Sequence, residues 1–91
     1  EREIHFRARR FARVQVAEIR LHRPEDVAGG RARRDLYGAL REAIDEGRET
    51  FRRRFLVSNP GMADYFHEEL LRTLANADPD LLGKDYPGPL A

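Results

Sequence analysis

The residues able to do chemistry in this chain are few, and each opens a pattern that its neighbours leave incomplete. His67-Glu68 begins like the helical zinc-protease motif, but that motif needs a second histidine one turn later, where Leu71 stands. Asp64 and His67 are three residues apart on one helix face, the spacing with which bundles hold di-metal centres. Such centres draw matching carboxylates from several helices, and the nearest complement, Glu42 and Glu46, falls on the polar face of another segment. Ser58, the only serine, sits at a helix start, where a hydroxyl caps backbone amides; Thr50 and Thr73 fall inside helices, and no glycine-flanked nucleophile turn occurs. Gly29-Gly30-Arg31 matches a fragment of a phosphate-cradling loop without its further glycine or its Lys-Ser/Thr ending. His5 and His22 belong to no ligand pattern. The chain is expected to hold no catalytic residue, no metal, no cofactor and no small-molecule substrate. With no cysteine, disulfides, thiolate chemistry and cysteine-based zinc fingers are excluded.

The chemistry that is abundant is that of arginine. Of 17 basic residues 16 are Arg, and the net charge of +1 conceals an asymmetry. Residues 1–57 hold 15 arginines against 10 acids, whereas residues 58–91 hold two bases against six acids, so the last third is suited to lie against the rest. Arg7, Arg9, Arg10 and Arg13, then Arg31, Arg33 and Arg34, then Arg52, Arg53 and Arg54 form three clusters able to neutralise phosphates if the fold aligns them. Against a nucleic-acid role stand the near-zero overall charge, the acids interleaved in the predicted second helix over 35–57 and the lack of a short helix-turn-helix spacing.

Helices must position these groups. Ninety-one residues make one small domain with a thin core, and 36% charged against 41% hydrophobic residues favours helices with solvated faces over a sheet. The spacing predicts a first helix over about residues 2–23, with Ile4, Ala8, Phe11, Ala12, Val16 and Ile19 on one arc. Pro24 ends it, and Gly29-Gly30 makes residues 24–34 a connection holding at most a loose turn near Glu25 to Ala28. A second helix is predicted over 35–57, capped by Asp35, with Leu36, Tyr37, Leu40, Ile44, Phe51 and Phe55 inward and the pairs Arg41/Asp45 and Glu49/Arg53 outward. Gly47 interrupts its apolar stripe, either as a weakness or as the site of a close helix crossing. Ser58-Asn59-Pro60-Gly61 reads as a cap and start for a third helix over 60–76, whose buried face is expected to hold Met62, Tyr65, Phe66, Leu70, Thr73 and Leu74. Asp78-Pro79-Asp80-Leu81-Leu82-Gly83 makes a further short turn, and residues 84–91 form a Pro/Gly tail that stays extended unless Tyr86 and Leu90 find a pocket. The predicted fold is all-α: a three-helix bundle, or a helical hairpin plus a third helix, in one domain over 1–83.

The first helix carries a second apolar flank, Val14, Ala17 and Leu21, on the side away from its core arc. One stripe needs one partner, and two need two. A short third helix cannot cover both long ones, so this flank is expected to be an interface, with a homodimer the simplest closed solution. The longest uncharged run, Phe55 to Ala63, is far too short to cross a bilayer, and the opening residues carry no signal-peptide pattern. No membrane role is expected.

Several runs also look familiar. Ala8-Arg9-Arg10-Phe11-Ala12-Arg13-Val14 with Glu18-Ile19, then Gly30-Arg31 and Asp35-Leu36-Tyr37, and at the end Tyr65-Phe66-His67-Glu68-Glu69-Leu70 with Asp78-Pro79, Leu82-Gly83 and Asp85-Tyr86-Pro87-Gly88 are together similar to a helical segment of known setting. It resembles the C-terminal helical segment of uncharacterised multidomain bacterial proteins, some with an upstream zinc ribbon. That group has no established activity, so the resemblance transfers no functional residue. It implies an intracellular, cytoplasmic bacterial setting and attachment to other domains, in keeping with a chain that opens at Glu1 rather than Met. The chain departs from those relatives at Pro24 and Gly29-Gly30, where they are more continuously helical.

The expected function is therefore non-enzymatic: a protein–protein interaction or dimerisation module of a larger regulatory or scaffolding protein, with Val14, Ala17 and Leu21 as its contacts. The alternative is a nucleic-acid-binding module using Arg9, Arg13, Arg52 and Arg53 on phosphates.

Overall fold

The first 21 helical positions contain neither glycine nor proline and are rich in alanine and arginine, both strong helix formers. In the computed structural model, which describes residues 2–90, they form α1 (Arg2–His22). Glu1 at the domain's start and Ala91 at the tail's end lie outside the described residues. Ala8, Ala12, Val16 and Ile19 are buried, with Ile4 and Phe11 packed beside them, so one face of α1 supplies a wall of the core.

Pro24 ends α1 but starts a second helix at once. Residues 24–34 are not a connection: α2 (Pro24–Arg33) runs straight through both glycines. Proline suits the first helical position, and Glu25 and Asp26 place negative charge where the helix dipole favours it. Gly30 offsets its poor propensity by what its missing side chain admits. A Cβ there would lie 2.9 Å from Leu36 Cα and 3.2 Å from Ala39 Cβ. The helix closes where Arg34 turns left-handed (φ 56°) and Asp35 N–H donates to Gly30 C=O at 2.8 Å.

The long second helix is also divided. Asp35 caps α3 (Leu36–Ala39) through a bond from Gly38 N–H, and Leu40 departs from helical geometry (φ −124°) before α4 (Arg41–Phe51), which continues as a π turn over Arg52–Leu56. Hydrogen bonds from Leu40 to Leu36 and from Ile44 to Leu40 run through the bend. The bend lets α3 lie on α2 while α4 follows α1. Phe11 meets Phe51 and Phe55 at one end, and Ile19 and His22 lie beside Ala43 at the other, so α4 is antiparallel to α1.

The third helix begins five residues later than its sequence signature. Asn59 does cap, but backwards: its amide donates to Phe55 C=O at the end of the preceding π turn. Pro60 stays outside in a loop, and Asp64 is the true cap of α5 (Tyr65–Glu69), accepting from His67 N–H at 2.9 Å. A second π turn, Leu70–Leu74, extends α5, and a 3₁₀ turn follows at Pro79–Leu82, capped by Asp78 and closed by Gly83 (φ 95°). The fold is all-α, with no strand among the described residues. Phe51, Phe66, Leu36, Leu40, Ile44, Leu70, Leu74 and Val16 fill its centre.

The tail is docked as well as extended. Tyr86 stacks on His67 and meets Tyr37 edge-on, Gly88 C=O accepts from Arg48 at 2.9 Å, and Leu90 N–H donates to the buried Asp64 at 2.7 Å. No helix among the described residues is long and apolar enough to cross a membrane.

Candidate functional site

Because successive helical residues are about 100° apart, a face opposite Ala8, Ala12, Val16 and Ile19 must gather positions 6, 10, 14, 17 and 21. The structure leaves that face of α1 uncovered. Val14 is 45% exposed and Leu21 73%, and Ala17 between them is exposed too. Phe6, 62% exposed, extends the same row by two turns. Phe6 was absent from the expected contacts, although its spacing to Val14 and Ala17 was there to be read.

Arg10 stands in the middle of this apolar row, with Arg7 and Arg13 to either side and Arg20 near its far end, all exposed. Between Arg2 and His22 the helix carries six arginines against Glu3 and Glu18. Among the described residues no salt bridge involves any of the six; Arg9 instead lies 4.8 Å above the Tyr65 ring.

The four arginines expected on phosphates divide into two pairs. Arg9 and Arg13 line a cleft between α1 and α5 with Tyr65, Glu68, Glu69 and Arg72. Arg52 and Arg53 both turn to Glu49: Arg52 donates through Nε at 3.1 Å and through its terminal amino group at 2.7 Å, and Arg53 approaches to 3.8 Å. The bond from Arg52 holds the Glu49 carboxyl below its usual range, and Glu49 in turn raises Arg52. No hydrogen bond or ion pair among the described residues joins the two pairs.

Other members of the arginine clusters have structural partners. Arg31 reaches across to donate to Leu74 C=O at 2.8 Å and Thr73 C=O at 3.0 Å, the last carbonyls of the α5 segment. Arg34 approaches Asp78 and Asp80, and Arg54 lies over Phe11 and Phe55. The expected Arg41/Asp45 pair is replaced by a triad: Tyr37 OH donates to Asp45 at 2.7 Å, raising the Tyr37 phenol, while Arg41 covers its ring.

Several of the groups that opened catalytic or metal patterns are likewise occupied, although Ser58, Thr50, Glu42, Glu46 and Glu68 make no side-chain bond among the described residues. Both Asp64 oxygens accept backbone N–H groups, His67 bonds Tyr86 OH at 2.7 Å, His5 bonds Tyr65 OH at 2.8 Å, and the Thr73 hydroxyl donates to Glu69 C=O. No group of three or more His, Asp or Glu able to hold a metal ion occurs among the described residues. The cluster of Arg48, Asp64, His67 and Tyr86 around the tail was not foreseen, since its members lie on three separate elements. Its one sequence cue was that Tyr86 and Leu90 were the only large apolar residues in a Pro/Gly segment.

No protein-family model, curated protein or solved structure matches the chain.

Proposed function

We propose that the chain is a non-enzymatic protein–protein interaction module, the part of a larger cytoplasmic regulatory or scaffolding protein that joins it to itself or to a partner through the outer face of α1. The observation that supports this reading is the row Phe6, Val14, Ala17 and Leu21, left in solvent on the side of α1 turned away from the core. A helix needs only one apolar face to fold onto its domain, and a second face of this size gains by being covered. Fully burying a Phe, Val or Leu side chain contributes about 1.5–3 kcal/mol each, enough together to support association.

Placing a photo-crosslinking residue at Ala17 tests the reading in the intact protein. Protein adducts should form from position 17, should not form from exposed Lys84 in the tail, and should vanish when Leu21 is changed to Glu. Absence of any adduct from position 17, together with a monomer in sedimentation at every concentration, would refute it.

The nucleic-acid alternative retains one supporting observation, the six α1 arginines with no salt bridge among the described residues. It loses the help of Arg52 and Arg53, which are engaged by Glu49. A salt titration of binding to random duplex decides it, because a phosphate-driven complex weakens steeply as salt rises.

A further inference from the structure

Resting on the interaction reading, we infer that the outer face of α1 receives an amphipathic helix with acidic flanks rather than a second copy of this chain. The argument begins with where the charges are left over. Five arginines outside α1, namely Arg23, Arg34, Arg52, Arg53 and Arg72, pair with carboxylates of the domain itself. Among the described residues the six on α1 do not. Arg9 and Arg13 share the α5 cleft with Glu68 and Glu69. Arg10 within the apolar row, with Arg7 and Arg20 at its edges, stays exposed without an ion pair among the described residues, and such a face is half of an electrostatically complementary pair.

The row also fixes the shape of its occupant. Phe6, Arg10, Val14, Ala17 and Leu21 follow one another at steps of four, four, three and four, the seam of a helix that packs along another helix. Ala17 is small enough to let a second backbone come close, at the usual interaxial distance of about 8–10 Å. Arg10, at the middle of the seam, needs a carboxylate opposite it once the seam is dry, because an unpaired charge in an interface is strongly unfavourable. A partner helix with an acid facing Arg10 and further acids along its edges supplies this and sets the register.

A second copy supplies it poorly. Two α1 helices laid together bring twelve arginines against four glutamates, and packed in parallel they set Arg10, at the centre of the row, beside its own counterpart. Packed antiparallel, each edge meets the same edge of the other copy, so Arg7 can face Glu18 on one side, but Arg9, Arg13 and Arg20 on the other side face only one another. Like charges at that distance oppose association. A lipid surface is a worse fit again, since Arg10 interrupts the face that would insert.

The experiment uses the 91-residue chain and two synthetic helical peptides with the same leucine seam, one with glutamate on both edges and one with lysine. Fluorescence anisotropy should show the glutamate peptide binding at least about tenfold more tightly in dilute buffer, with the margin shrinking as salt approaches 1 M. Leu21→Ser should weaken it about tenfold or more, and Arg10→Glu with Arg13→Glu should reverse the preference towards the lysine peptide. These positions are exposed, so circular dichroism should show an unchanged fold, and the reversal is a gain that misfolding cannot produce. Equal binding of the two peptides overturns the inference. So does self-association that Leu21→Ser abolishes and the glutamate peptide cannot displace, although the interaction reading then survives. A monomer that ignores both peptides, or that binds anionic vesicles or random duplex instead, overturns both.

Discussion

The Cζ tip of the Phe66 ring points at Gly47, so close that a Cβ built on the glycine would overlap it. The gap in the apolar stripe of α4 is thus the place where α5 crosses it. Gly47→Ala would gain up to about 1 kcal/mol in helix propensity but would force a fully buried aromatic side chain to move, and overpacking of this kind costs about 1–3 kcal/mol. We expect a net loss of about 1–2 kcal/mol in urea unfolding, partly recovered when Phe66→Leu is added. An alanine variant as stable as the parent would show that the contact is not tight.

The two glycines of α2 should behave in opposite ways. A side chain at Gly29 meets only the far end of the Arg33 side chain, so Gly29→Ala should stabilise the fold by about 0.5–1 kcal/mol. Gly30 faces the Leu36 backbone, and Gly30→Ala should destabilise by about 1–3 kcal/mol despite the same propensity gain. Thermal melts of the two single variants suffice; shifts of the same sign would contradict the packing described here.

These glycines also show how far the fold was legible. The helix class, the inward faces of α1 and α4 and the 3₁₀ turn were readable because each rests on local periodicity or a local cap. Helix α2 was hidden because Gly29-Gly30 was weighed by propensity alone, whereas the reason for Gly30 is the packing of α3 against it at Leu36 and Ala39. The start of α5 was misplaced because Ser58-Asn59-Pro60 is as good a local cap as Asp64. What favours Asp64 is tertiary: the buried Met62 draws the loop inward, and Leu90 bonds the carboxylate from the tail. The row of Val14, Ala17 and Leu21 could be read because exposure opposite a core stripe follows from helical geometry. That Arg52 and Arg53 turn to Glu49, and that Arg31 crosses to another helix, depends on side-chain choices that composition does not reveal.

Arg31 closes the α5 segment from a distance of more than 40 residues in sequence, with two charge-assisted bonds to the carbonyls of Thr73 and Leu74. Those carbonyls have no later helical turn to pair with, and they sit at the negative pole of the segment. Arg31→Ala should destabilise by about 1.5–3 kcal/mol, and Arg31→Lys should restore part of the loss, since one ammonium cannot match both contacts. Hydrogen exchange should locate the effect at residues 70–77. A loss confined to α2 would mean that the bridge does not hold the far helix.

Tyr86 makes the docked tail sensitive to alkaline pH. Burial pushes its phenol up from 10.0 to about 12, the charge of Asp64 acts in the same direction, and Arg48 opposes them. In the folded state the proton is therefore held more tightly than in the unfolded chain. The stabilisation this gives is complete below about pH 10 and is lost as pH rises through about 12. Tyr37, raised by its bond to Asp45, contributes in the same sense, so the difference between the parent and Tyr86→Phe isolates the tail. Between pH 10 and 12 the parent should lose stability more steeply than Tyr86→Phe, and protease cleavage after Lys84 should accelerate over the same interval in the parent. Identical pH profiles for the two proteins would mean that Tyr86 ionises freely and that the tail is held by Asp64 and Arg48 alone.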